Sequence, residues 1–204
     1  MAAARCCRAC AVVLRRGMAA RALYRQIEDM PENVIGEIID GEVFASPRPA
    51  VPHAWAATRL VEDLGSRFNR PSDGPDAPGG WWILFEPELH LGDDVLVPDL
   101  AAWRRERLAT LPSGVAVTTA PDWACELISP ATARIDRVRK MRIYAREGIG
   151  HLWMVDPRLR CLEVYRLDGG RWIVAGTYAG NDVASPEPFE AATLEVGRWW
   201  LDAE

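Results

Sequence analysis

The chain has 204 residues, of which 49% are hydrophobic and 26% charged, and a formal net charge of −5. That length supports one domain with a substantial core and leaves little for a second. No run approaches the ~20 apolar residues of a membrane span. The acidic balance argues against an extended, non-specific nucleic-acid binder, yet it leaves open a nuclease whose metal site is itself acidic.

Residues 1–17 stand apart. Arg5 and Arg8 precede the apolar run ACAVVL, which is too short for a secretory h-region and lacks a small-residue cleavage site. Cys7 and Cys10 have CxxC spacing without a second pair to close a zinc site. The segment reads as a disordered leader or a misassigned start with Met18 as the working first residue. Residues 18–204 read as a single domain, expected in the cytoplasm and without a membrane anchor. Cys125 and Cys161 lie in apolar, strand-like runs and read as small core residues.

ARALYRQIEDM predicts a short helix stopped by Pro31. VIGEIIDGEVFAS predicts a hairpin turning at Asp40-Gly41, a dipeptide that accepts positive φ. Pro47, Pro49 and Pro52 then break the chain. Trp55, Leu60, Leu64 and Phe68 recur at helical spacing, so residues 53–68 predict an amphipathic helix. After the loop NRPSDGPDAPGG, WWILFEPELHLG and VLVPDLAAW read as two strands joined at Gly92-Asp93-Asp94, with DWACELIS as a third. Ser129-Pro130 signals a helix start, and the helix is expected to stop at Gly148. HLWMVD, CLEVYRL and RWIVAGTY follow as strands, and VGRWWLDAE as a short closing helix. The order implies an α/β domain, a mixed central β-sheet flanked by helices.

Three residues converge on a candidate site. Asp99 follows Pro98 in an otherwise apolar strand, and Glu126 interrupts another. A carboxylate within a buried strand is costly unless a cation, a hydrogen-bond network or protonation offsets it. Two such acids on adjacent strands can share a hard divalent ion. Asp122 lies on the same strand face as Glu126, but four residues separate them by about 13 Å, too far to share one ion. The third residue, Lys140, is the only lysine among 24 basic side chains. An ammonium is a compact charge whose pKa can be tuned, whereas a guanidinium stays protonated.

The helix carrying Lys140 leaves two readings open. Ile135, Val138, Met141 and Ala145 form an apolar stripe, and Lys140 lies roughly opposite its centre, as a solvated lysine would. Against this, Asp136, Lys140 and Tyr144 form a second ridge at intervals of four, with Ile143 beside them. Arg134, Arg137, Arg139, Arg142 and Arg146 either contact a phosphate backbone or pair with acids elsewhere.

EIIDGEVFASPRPAVPHA, VPDL and PDWACELISPATARIDRVRKMRIYAREGIGHLWMVDP, in this order and spacing, resemble the large bacterial Uma family. That family is classed with restriction endonucleases in the PD-(D/E)XK nuclease superfamily. The likeness runs from about Ala22 to Leu201. It implies a restriction-endonuclease-like core, with Asp99 and Glu126 as metal ligands and the Leu127 carbonyl as a further one. The lysine expected two residues after the second acid is absent, since Ile128 stands there. Lys140 matches the family's relocated lysine on the following helix. Glu37, His53, Glu88 and Tyr144 are second-tier candidates. The activity implied is Mg²⁺-dependent hydrolysis of phosphodiester bonds, with Mn²⁺ as a substitute and nucleic acid, DNA first, as substrate. Two rivals are a nuclease-like domain that binds without cutting, and an assembly protein or homodimer using the Trp81-Trp82 or Trp199-Trp200 pair.

Overall fold

The computed structural model describes residues 20–72 and 78–201; the expected leader at 1–17 lies outside them. Helix α1 (20–28) leads into the hairpin β1 (Ile35–Ile39) and β2 (Glu42–Ser46). Its turn residues have positive φ, 54° at Asp40 and 77° at Gly41, as the dipeptide predicts. Helix α2 (Val51–Phe68) starts two residues earlier than expected, with Pro52 in its first turn, where the missing N–H costs nothing. Its buried stripe is Ala56, Ala57, Leu60, Leu64 and Phe68. Trp55, expected in that stripe, is exposed.

Each of the next two expected strands is broken in the middle. WWILFEPELHLG divides at Glu86-Pro87 into β3 (Trp81–Phe85) and β4 (Glu88–Leu91). VLVPDLAAW divides at Val97-Pro98-Asp99 into β5 (Asp94–Leu96) and β6 (Leu100–Arg104). The long hairpin therefore passes from one sheet to another. Proline supplies no ladder donor, so the two strands part where Pro87 and Pro98 face each other's chain. Glu86 adopts φ 44° at the bend, and its N–H donates to the Asp99 carbonyl at 3.0 Å.

There are accordingly two main sheets rather than the single one expected. A five-stranded sheet runs β2-β1-β5-β4-β7, where β7 (Ala116–Val117) is a short strand in the connection that follows β6. A six-stranded sheet runs β11-β10-β9-β8-β6-β3. It includes β8 (Trp123–Leu127), β9 (His151–Asp156), β10 (Cys161–Asp168) and β11 (Arg171–Ala179). Both are mixed, β4–β7 and β8–β9 being their parallel pairs. A two-stranded ladder, β12 (Val183–Ala184) and β13 (Leu194–Glu195), precedes a 3₁₀ turn at Val196–Trp199.

One face of the six-stranded sheet, with Trp123, Cys125 and Trp153, packs α2 and the C-terminal segment around Phe189 and Trp199. The other, with Ala101, Trp103, Ala124 and Met154, packs Leu89 and Leu96 of the smaller sheet and Ile143 and Tyr144. Trp81, Trp199 and Trp200 are buried and Trp82 is half-buried, so neither pair named in the assembly reading is fully exposed. Among the described residues no helix is long and apolar enough to cross a membrane.

Between β8 and β9, three helical segments run on continuously. They are α3 (Ala133–Ile135), a π-helical turn (Asp136–Lys140) and α4 (Met141–Arg146). Gly148 ends them with φ 73°. A turn closed by i→i+5 bonds aligns residues four to five apart, so Val138 leaves the contact face while Ile135 and Met141 stay partly packed against the core. Asp136, Lys140, Ile143 and Tyr144 are thus buried, while Val138, from the expected apolar stripe, is 57% exposed. The polar ridge faces the protein.

Candidate active site

The divergence of the two sheets opens a cleft of about 300 Å³, lined among others by Glu37, Arg48, His53, Glu86, Asp99, Glu126, Leu127, Asp136 and Lys140. Strand register builds its floor. The β6–β8 pairing ends at Leu100 opposite Cys125, so one step further Asp99 faces Glu126. The β3–β6 pairing ends at Phe85 opposite Leu100, so one step further Glu86 faces Asp99. Opposed residues of antiparallel strands lie roughly 4.5–5.5 Å apart at Cα and share a face. Glu86, Asp99 and Glu126 thereby form one row of carboxylates across three neighbouring strands.

Behind this row sits a buried ionic knot. Lys140 Nζ lies 2.8 Å from Glu37 Oε1, 3.2 Å from Glu126 Oε1 and Oε2, and 3.7 Å from Asp136 Oδ1. All four residues are at most 5% exposed. The Tyr144 hydroxyl donates to Glu126 Oε1. Burial pushes the Glu126 carboxyl well above the usual range; Lys140 opposes this, and Asp136, Asp99 and Glu37 add to it. Burial also raises Asp136, again against the pull of Lys140. Burial works against the charge on Lys140, but Glu126, Glu37 and Asp136 together outweigh it and hold the amine well above its ordinary value. The ammonium keeps its proton. Burial, then the charge of Glu126, raises the Tyr144 hydroxyl likewise.

The carboxylates also repair the broken ladder. Glu37 Oε1 accepts the Val97 N–H at 2.8 Å, and Asp99 Oδ2 accepts the Leu127 N–H at 2.7 Å. His53, near the start of α2, places Nε2 2.6 Å from Asp99 Oδ1. Burial lowers the His53 pKa, but Asp99, through the hydrogen bond and its charge, brings the net shift upward.

Seven of the eight expected residues thus assemble around one cleft: Asp99, Glu126, Leu127, Lys140, Glu37 and His53 line it, and Tyr144 touches Glu126 from behind. Glu88 does not belong there. Its strand lies in the smaller sheet, and its carboxylate accepts from the Tyr24 hydroxyl at 2.6 Å and sits 2.8 Å from His90. Asp122 is also remote, accepting from the Arg104 N–H and Arg107 at 2.8 Å. Two members were not expected. Asp136 was legible as the i−4 neighbour of Lys140. Glu86 was legible from the hairpin itself, because counting outward from the Gly92-Asp93 turn sets it opposite Asp99.

Among the described residues no group of three or more His, Cys, Asp or Glu side chains converges as a preformed metal cage. The donor set nevertheless suits a hard cation. Five carboxylates line the cleft, against one buried ammonium, Arg48 and His53. Mg²⁺ is usually held by only one or two carboxylates, with waters and substrate phosphate completing its octahedron.

Residues 21–197 match the model of the Uma2 family, whose description reads "Putative restriction endonuclease". The fold is similar to a crystal structure from Anabaena variabilis ATCC 29413, described as "a putative nuclease belonging to DUF820". The TM-score is 0.69 at 20% identity, over 87% of this chain and 96% of that one. Comparison with curated proteins gives no match.

Proposed function

This chain belongs to the Uma2 family, and from that premise we propose that it is a Mg²⁺-dependent endonuclease acting on DNA in the cytoplasm. The observation that carries the reading is the row of Glu86, Asp99 and Glu126 with Lys140 directly behind it. Asp99 and Glu126 would hold the ion, with the Leu127 carbonyl as a further ligand and Glu86 as an additional carboxylate in the cleft. When bound, the ion lowers the pKa of a coordinated water and screens the scissile phosphate.

The remaining roles follow from contacts within the chain. Lys140 touches both oxygens of Glu126, so it fixes that carboxylate's orientation. Because it holds its proton, it acts as a positive charge beside the developing phosphorane and not as the base. Tyr144, one turn further along the same helix, fixes Glu126 through Oε1. His53 sets Asp99 through Oδ1 and leaves its other oxygen on the Leu127 N–H. A fixed first row of ligands matters because misplacement by about 1 Å costs on the order of 10² in rate.

A second reading, binding without cleavage, is favoured by one observation: both Asp99 oxygens are already engaged by protein donors. Incubation with circular and linear DNA and with RNA separates the two, in Mg²⁺, in Mn²⁺ and in chelator. The nuclease reading predicts cuts in either metal and none in chelator. Retention of nucleic acid with no cut in either metal would establish the second reading.

A further inference from the structure

A cleft lined by five carboxylates repels the polyanion it is proposed to cut, so some group must receive the phosphate backbone. Lys140 cannot meet it first, being 3% exposed and enclosed by Glu37, Glu126 and Asp136. Four arginines of the following helix are already matched, Arg137 with Glu163, Arg139 with Glu42, Arg142 with Asp40, and Arg146 with Asp94, and the fifth, Arg134, is exposed but outside the cleft lining. The charges of the matched four are largely cancelled locally, which weakens that helix as a phosphate track.

Arg48 differs on every count. It is the one guanidinium among the residues lining the cleft, and it is exposed. Among the described residues no acid pairs with it. It stands between Pro47 and Pro49 in the segment joining β2 to α2. Pro47 fixes its own φ, and Pro49 confines Arg48 to extended backbone, so the side chain rises from a stiff rim.

We propose that Arg48 is the phosphate-positioning residue of the cleft, receiving a backbone phosphate of the nucleic acid next to the one under attack. This rests on the nuclease reading above. A guanidinium offers a planar fork that binds two phosphate oxygens at once. Such a contact sets affinity and strand position and carries no sequence choice.

The test uses the full chain and a fluorescein-labelled DNA oligonucleotide. Anisotropy is measured in chelator across a salt series, and cleavage kinetics in Mg²⁺. Arg48→Ala is expected to weaken binding about tenfold and flatten the salt dependence by about 0.7–0.9 in log–log slope, one phosphate contact. It should raise KM and leave kcat nearly unchanged. Arg48→Lys should restore the slope and only part of the affinity. Arg142→Ala, an exposed arginine paired with Asp40, should change the slope little. Wild-type slope and KM in Arg48→Ala would overturn the assignment, as would a fall in kcat at unchanged KM. A wild-type protein that neither binds nor cuts would remove the nuclease reading, and this contact with it.

Discussion

Replacing Lys140 with methionine keeps an unbranched side chain, shorter by the terminal nitrogen, and deletes its charge. Three carboxylates, Glu37, Glu126 and Asp136, then face one another at 5% exposure or less with no cation between them. Removing one partner of a buried ion pair costs about 3–5 kcal/mol, because the charge left behind is unpaired. Proton uptake by the acids limits the cost, and Glu126 and Asp136 are already shifted upward, which favours the lower half of that range. About 1 kcal/mol moves Tm by roughly 2–4 °C for a chain of this size, so a fall of about 10 °C is expected. Adding Glu126→Gln to Lys140→Met should recover a large part of it, since removing both partners costs less than stranding one. Thermal unfolding by circular dichroism reads all three variants. A Tm within ~2 °C of wild type for Lys140→Met would refute the knot, because a solvated lysine can be deleted at almost no cost.

The same knot sets a pH dependence. Glu126 and Asp136 have raised pKa values in the fold, so the folded chain holds protons that the unfolded chain releases. Their contribution is complete below the ordinary carboxyl range and is lost as pH rises through the raised values. Denaturant unfolding from pH 5 to 8 should therefore show Glu126→Gln with a flatter decline than wild type; identical declines would contradict the cause. Glu86→Gln, on the outer member of the carboxylate row, should lower Mn²⁺ affinity several-fold with Tm unchanged. Calorimetric titration reads the first and scanning calorimetry the second, and an unchanged isotherm would remove Glu86 from the row.

Much of this site follows from local rules. Asp40-Gly41 specifies its turn, the buried acids mark their own strands, and the register between β6 and β8 sets Asp99 against Glu126. The split of the hairpin between two sheets was written in Pro87 and Pro98, but a proline in a strand signals an edge, a bulge or a crossover alike. Only the packed molecule distinguishes them. The orientation of Lys140 was hidden for a different reason. The sequence shows an apolar stripe at Ile135, Val138 and Met141, and hydrophobicity alone turns that stripe inward. Burial of Lys140 depends on Glu37 and Glu126, which lie 103 and 14 residues away on other strands, and on a π-turn that no local propensity announces. Glu88 misled because alternation gives a strand's faces but not which of two sheets the strand joins.

Asp99 and Glu126 are the proposed ligands of one divalent ion in the cleft. Calorimetric titration of Mn²⁺ into the wild-type chain, Asp99→Asn and Glu126→Gln tests this assignment most directly, with circular dichroism confirming that each variant is folded. One site is expected in the wild type, no measurable binding in Asp99→Asn and strongly weakened binding in Glu126→Gln. Equal isotherms for all three proteins, or none for the wild type, would contradict the assignment.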